Sequence, residues 1–237
     1  MISVNYVLDG AVDYAKLDRS IKSLYTQVVD FSVCFYVNNR LVYDYLLNHV
    51  ANDLICYVSD LDYIDMINKS IDECTDEYWC FINDRTLLYP DRLYTQRYFM
   101  QKHDRAVWAF SGFNILGGYK IEEFNGVDYF GQFINLNMKQ TVATSLINSF
   151  PGQNFIHENT VLVKTDIFDK VGIFDNKLTT LYNYDMWLRL CYQSEPVILT
   201  QPLILTFNGK TVESDREKEI GIIGEKMQKY MIGDFSE

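Results

Sequence analysis

The sequence predicts a single α/β domain built on a mostly parallel central sheet with helices on both faces. Three observations carry this. Short apolar runs alternate with amphipathic stretches from residue 1 to residue 82. The connections between them are about two to six residues long, which is the rhythm of βαβ units. The 237 residues also suit one domain and are short for two.

The elements follow in order. Residues 1–8 (MISVNYVL) read as a mostly apolar strand. Residues 13–27 read as a helix, with Leu17, Ile21 and Leu24 at helical spacing. Residues 32–37 (SVCFYV) form a continuous apolar run, the mark of a strand buried on both faces. Residues 40–51 make a second helix and 53–58 a third strand. Residues 61–74 make a third helix, with Ile64, Ile67, Ile71 and Cys74 on one face, and 78–82 (YWCFI) a fourth strand. Right-handed crossovers place such helices on both faces. Ligands of such sheets bind at the carboxyl ends of the strands. That singles out Leu8 to Gly10, Asn38 to Arg40, Ser59 and Asp60, and Asn83 to Arg85.

Beyond residue 105 the pattern loosens. Residues 106–110 and 160–164 read as strands, and VILT and LILTF, after Pro196, as two more. A short helix is expected at 165–171, a longer one at 183–193, and a last one at 212–231 with Ile220, Ile223, Met227 and Tyr230 on one side. Residues 111–153 are rich in Gly, Asn and Phe and poorly periodic.

Composition excludes several functions. The chain is 48% apolar and 15% aromatic, so it folds. Its 21 basic and 32 acidic residues give a net charge of −11, which repels polyphosphate and argues against general nucleic-acid binding. No run of about 18 apolar residues occurs, so no transmembrane helix is expected. The opening strand leaves no room for a signal peptide, and a cytoplasmic location is expected. The five cysteines are odd in number and form no CxxC pair, so they read as buried thiols in a reducing compartment. His49, His103 and His157 are scattered and give little support to a histidine-built metal or nucleophile site.

Three segments together resemble the family-two glycosyltransferases of the GT-A fold, a Rossmann-like class. The first is SIKSLYTQ at 20–27. The second, NKSIDECTDEYWCFINDRTLLYPDRL, runs from Asn68 to Leu93. There Asn83 stands fifteen residues after Asn68, at the first aspartate of the family's metal motif, and Pro90 follows seven later. The third is VKTDIFDKVGIFDNKL at 163–178 followed by YNYDMWLRL at 182–190. It is similar to the family's VGxFD turn and the helix that carries the catalytic base.

The resemblance implies transfer of a sugar from a nucleotide-sugar donor to an acceptor hydroxyl, with inversion. It also implies a nucleotide-sugar-binding half at 1–110, an acceptor-side half at 111–211 and a C-terminal helix at 212–237. Such chemistry needs carboxylates twice. A divalent Mn²⁺ or Mg²⁺ neutralises the diphosphate leaving group, and a carboxylate base deprotonates the acceptor.

The sequence departs from the family at both places. The metal motif reads Asn83, Asp84, Arg85, Thr86, and the base motif reads Tyr182, Asn183. Asn38 and Asn39 follow the second strand, where the family often places an acid, and no histidine stands at 207–210. Asparagine keeps the shape of aspartate without its charge. The chain holds 17 asparagines, so part of this is compositional.

The donor-binding candidates are accordingly Leu8, Asp9, Asn38, Asn39, Asn68, Asn83, Asp84 and Arg85. Asp84 is the metal candidate, for a weak site or none. Asp185 and Asn183 are the catalytic candidates. Arg85 is also read as a bidentate holder of diphosphate in place of a metal. A literal Asp-x-Asp at Asp60 and Asp62 reads as a metal site or as a helix N-cap, and Asp128 is a further acid of the same kind. Asp175 reads as a turn residue, Arg189 as an ion-pair partner, and Trp187 and Leu190 as core. The aromatics Phe113, Tyr119, Phe124, Tyr129, Phe130 and Phe133 read either as acceptor-stacking surface or as core.

Two functions stay open: an active glycosyltransferase, and a catalytically silent GT-A-like module that binds a sugar, nucleotide or protein. An unrelated dinucleotide binder lacks support, because no GxGxxG follows the first strand. The acceptor and the oligomeric state are not legible.

Overall fold

The computed structural model describes residues 1–50, 54–117, 120–124, 141–150, 154–207, 216–231 and 235. The first half alternates as the sequence predicts: β1 (Ile2–Leu8), α1 (Tyr14–Leu24), β2 (Phe31–Val37), α2 (Arg40–His49), β3 (Leu54–Tyr57), α3 (Tyr63–Asp72) and β4 (Tyr78–Ile82). Then come β5 (Thr86–Leu88), α4 (Arg92–Lys102), β6 (Trp108–Gly117), β7 (Lys120–Phe124) and α5 (Val142–Ser149). The chain continues through β8 (Leu162–Lys164), α6 (Phe168–Val171), α7 (Tyr182–Gln193), β9 (Val197–Phe207) and α8 (Arg216–Tyr230).

One nine-stranded sheet runs in the order β3-β2-β1-β4-β8-β6-β9-β5, with β7 pairing β6. The β3-β2-β1-β4 half is parallel throughout. Antiparallel pairing enters at β8, which runs against β4 and β6. β6 therefore points the same way as β4, and β9 runs parallel to it.

Local chemistry explains the elements. Asp13 caps α1 by accepting from the backbone N–H groups of Ala15 and Lys16, at 3.1 and 3.2 Å. Leu17, Ile21 and Leu24 then turn one face of α1 into the core. Each such burial contributes about 1.5–3 kcal/mol. β1 is buried on both faces. Ile2, Val4, Tyr6 and Leu8 join the core under α1 and α2, whereas Val7 joins the opposite core with α3, α5, α7 and α8. Trp187 and Leu190, read as helix core, are fully buried.

The structure adds elements that periodicity does not show. α4 buries Arg92, Thr95 and Gln96 beside Leu93 and Met100, so it has no apolar stripe to read. VILT and LILTF are one eleven-residue strand, β9. Its register slips against β6 between Leu199 and Pro202, because a bulge there accommodates a proline that cannot donate to the ladder. Among the described residues, no helix is long and apolar enough to cross a membrane.

Candidate active site

The carboxyl ends of β1, β2 and β4 meet on one edge of the sheet. Asn38, directly after β2, ties the neighbouring loops together. Its Oδ1 accepts from the Gly10 backbone N–H at 2.8 Å. Its Nδ2 donates to Asp9 Oδ1 at 2.7 Å and to the Leu61 carbonyl at 3.1 Å. Gly10 sits at φ +66°, a left-handed conformation that L side chains rarely adopt. Asp9 is thereby held exposed at the end of β1.

The turn after β4 is built by Asn83. Its Oδ1 accepts from the Arg85 N–H at 3.1 Å, an Asx-type turn, and the Thr86 hydroxyl oxygen lies 3.0 Å from it. Asp84 leans towards the loop between β1 and α1, and its Oδ2 accepts from the Asp13 N–H at 3.4 Å. Burial pushes the Asp84 carboxyl above its usual range, against the opposing pull of the Arg85 charge. The Arg85 Nε lies 3.9 Å from Asp84 Oδ1, and the Arg85 side chain is 43% exposed. This turn does not fit a divalent cation, which wants several anionic oxygens. It offers one carboxylate, shared with a guanidinium. Among the described residues, no three His, Cys, Asp or Glu side chains gather at one point.

A second cluster stands beside the turn. β8 runs antiparallel to β4, so the segment preceding β8 rises at the carboxyl end of β4. There the 3-10 turn Glu158–Thr160 is stitched to β4. Asn159 Oδ1 accepts from the Thr86 hydroxyl at 2.7 Å, and its Nδ2 donates to the Phe81 carbonyl at 3.4 Å. Glu158 Oε1 accepts from the Tyr63 hydroxyl at 3.2 Å. Its Oε2 accepts from the Tyr182 hydroxyl and from Asn183 Nδ2, the latter at 3.4 Å. Asn183 Oδ1 in turn accepts from Asn154 Nδ2 at 3.1 Å. Burial raises the Glu158 carboxyl above its usual range despite these donors. The same burial, helped by the charges of Arg92 and Arg85, holds His157 down to about 4, so it is neutral at pH 7.

The structure thus brings Asp9, Asn38, Asn83, Asp84, Arg85 and Asn183 to one edge. It corrects four other expectations. Leu8 is 1% exposed, so only its backbone can face a ligand. Asn39 caps α2, accepting from the N–H groups of Leu41 and Val42. Asn68 is a latch: its Nδ2 donates to the Phe174 carbonyl and its Oδ1 accepts from the Phe174 N–H, both at 2.8 Å.

Asp185 is the fourth correction. It is 0% exposed and bound to Arg189 at 2.7 Å. Two residues along a helix are about 200° apart, so Asn183 and Asp185 occupy opposite faces of α7. Asp185 cannot reach an acceptor hydroxyl without dismantling that core.

Other readings hold. Arg189 is the ion-pair partner of Asp185. Asp175 closes a turn by accepting from the Lys177 N–H at 2.9 Å. Asp62 caps α3, accepting from the Asp65 N–H at 2.9 Å. Phe113 is 6% exposed and belongs to the core. Asp128, Tyr119, Tyr129, Phe130, Phe133 and 208–210 lie outside the described residues, as does the side chain of Phe124.

Tyr63 and Glu158 are the members of the site that sequence reading passed over. The available signal was a His-Glu pair separated by Asn159 from the apolar run TVLVK. Its meaning depends on β8 running antiparallel, which periodicity does not reveal.

No family model matches the chain. It is 25% identical over 124 residues to an uncharacterized glycosyltransferase of Rickettsia typhi, a match covering 52% of this chain and 37% of that protein. Its structure superposes on Staphylococcus aureus TarS 1-349 with a TM-score of 0.66 and 12% identity, over 92% of this chain and 62% of that one. The complex of TarS 1-349 with UDP-GlcNAc gives a TM-score of 0.63 at 12% identity, over 93% and 65%. The complex with UDP gives 0.63 at 10%, over 92% and 63%. The chain therefore spans less than two thirds of the length of each of these proteins. It has the GT-A fold that its sequence predicts, and it is similar in sequence to a glycosyltransferase.

Proposed function

We propose that the chain is a glycosyltransferase that takes a sugar from a nucleoside diphosphate-sugar and passes it to an acceptor hydroxyl. The observation that carries this reading is the joining of Asp9, Asn38, Asn83, Asp84 and Arg85 at the carboxyl ends of β1, β2 and β4. That is where a doubly wound sheet binds its ligand. The likeness to TarS, solved with UDP and with UDP-GlcNAc, supports the same donor class. The donor belongs to the half ending at residue 110, and the acceptor to residues 111–211.

Arg85 holds the diphosphate in this reading. A guanidinium offers two parallel N–H groups to phosphate oxygens and needs no metal to neutralise them. Hydrogen bonds to charged groups contribute about 1.5–3 kcal/mol each. Arg85→Ala is therefore expected to weaken UDP binding by roughly 10- to 100-fold. Calorimetric titration of UDP, with and without Mn²⁺, checks this. Unchanged affinity in the variant, or wild-type binding that requires Mn²⁺, sinks the role given to Arg85.

A second reading is a silent module that binds the nucleotide without turning it over. The amides at Asn83 and Asn183, where the resemblance implies carboxylates, favour it. Release of UDP from UDP-GlcNAc by the wild type separates the two.

A further inference from the structure

We infer that Glu158 is the general base of the proposed transfer, acting from the loop before β8 where the Asn183 amide cannot. The assignment rests on the glycosyltransferase reading above and adds to it the residue that moves the proton.

Glu158 is the neighbour of Asn159, which is tied to both Thr86 and Phe81 at the end of β4. It therefore stands on the edge where the donor is proposed to bind, beside the turn that carries Arg85. It is partly exposed, whereas Asp185 is sealed in the core.

An ionised carboxylate has about four lone-pair sites. Tyr182 and Asn183 occupy two on Oε2, and Tyr63 occupies one on Oε1. One site on Oε1 is left for an acceptor O–H. The three donors come from α3 and α7 and are neutral, so they orient the carboxylate without cancelling its charge. The buried Asp185, by contrast, is neutralised by Arg189 and Lys226. The other acid of the edge, Asp84, leans away towards Asp13.

The groups facing Glu158 are Tyr63 from α3, Tyr182 and Asn183 from α7, Arg85 from the turn after β4, and His157 beside it. Both tyrosines are pushed well above their usual range, chiefly by burial, so they stay protonated as donors. His157 stays neutral at pH 7. Arg85 is then the cation of the cluster, and a carboxyl raised by burial is a stronger base than an exposed one.

The step balances. The acceptor oxygen forms a bond to the anomeric carbon as its proton passes to Glu158 Oε1. The bond from that carbon to the diphosphate oxygen breaks, and the nucleoside diphosphate leaves with the electron pair. Water in place of the acceptor gives donor hydrolysis by the same route.

The test uses the whole chain, UDP-GlcNAc as donor and water as acceptor, followed by UDP release across pH 4–9. Glu158→Gln keeps the size of the side chain and removes the base. UDP affinity should stay within about threefold of wild type. Hydrolysis should fall by roughly 10²- to 10⁴-fold, the usual effect of losing general-base catalysis. The wild-type rate should rise with pH along one acid limb, which Glu158→Gln lacks. If Glu158→Gln does not fold, Glu158→Asp decides: a slower rate whose acid limb has shifted supports the assignment. A wild-type rate and limb in either variant, with UDP still bound, overturns the base and leaves the glycosyltransferase reading standing. Wild-type protein that binds UDP without releasing it from UDP-GlcNAc also overturns the base and makes the chain a silent module. Wild-type protein that binds no UDP overturns the donor site itself, and the base with it.

Discussion

Replacing Asp185 by alanine is expected to cost about 3–5 kcal/mol of stability, the usual penalty for leaving a buried charge without its partner. The Asp185 side chain has no exposed surface. Its Oδ2 accepts from Arg189 Nε at 3.0 Å and Nη2 at 2.7 Å. Its Oδ1 accepts from the Tyr230 hydroxyl and lies 3.5 Å from Lys226 Nζ. Removal of the carboxylate strands a guanidinium whose side chain is only 5% exposed. It also frees the Tyr230 hydroxyl of α8, while Lys226 keeps its bond to Asp175 at 2.6 Å. Urea unfolding with an unchanged slope measures the loss. Amide exchange should show α8 opening first. Asp185→Asn keeps the shape and should lose less. A cost below about 1 kcal/mol for Asp185→Ala would refute the structural assignment. So would an Asp185→Asn variant of full stability that has lost UDP-GlcNAc turnover, which would return Asp185 to the candidate bases.

Glu219 should make the protein acid-sensitive in a defined direction. It reaches from α8 to the start of α7, where backbone N–H groups lack partners within the helix. Oε1 accepts from the Thr179 N–H at 2.6 Å and the Thr179 hydroxyl at 2.7 Å. Oε2 accepts from the Thr180 N–H at 2.9 Å, the Thr180 hydroxyl at 2.8 Å and the Leu181 N–H at 2.8 Å. Burial alone would raise this carboxyl, but the bonds from Thr179 and Thr180 outweigh it and hold it below its ordinary 4.5. The same holds for Asp175, which burial would raise and Lys226 holds low.

A group whose folded pKa is depressed binds fewer protons in the folded state than in the unfolded one. Its contribution is whole above the unfolded value near 4.5. It disappears as pH falls through the lower folded value. Glu219→Gln is expected to lose about 2–3 kcal/mol at pH 7, the scale of charged hydrogen bonds. It should also flatten the fall in stability between pH 5 and 3. Urea unfolding at several pH values reads both. A variant that falls as steeply as wild type over that range would show that Glu219 is not the acid-sensitive tie.

Legibility differed between the halves of the chain for physical reasons. β1 and β4 are buried on both faces and α1 and α3 are held by regular apolar stripes, so burial and periodicity report the same thing there, whereas β3 is a largely exposed edge strand. α4 escaped because its buried face carries Arg92, Thr95 and Gln96, of which Arg92 and Gln96 bond each other and the Val161 and Thr160 carbonyls. A stripe of that kind carries no hydrophobic period. Asn39 looked like a ligand-facing amide because it follows β2, and Asn68 because of its place in the family's spacing. Asn39 instead caps α2, the fate of many polar side chains at helix starts, and Asn68, inside α3, bonds the backbone of the distant Phe174.

What the sequence determined by itself is the α/β order, which residues stand at the carboxyl ends of the strands, and the absence of charge at Asn83 and Asn183. These follow from residue type and from the fixed periods of strand and helix. Which acid faces which way was decided only by the tertiary structure. Asp185 and Glu158 are equally acidic in the chain. A two-residue step along α7 turns Asp185 into the core, against Arg189. The reversal of direction at β8 lifts Glu158 to the edge where the donor is proposed to bind. Neither fact is local: the first needs the packing of α8 against α7, and the second needs β8 to pair antiparallel with the distant strand β4, Tyr78 against Lys164.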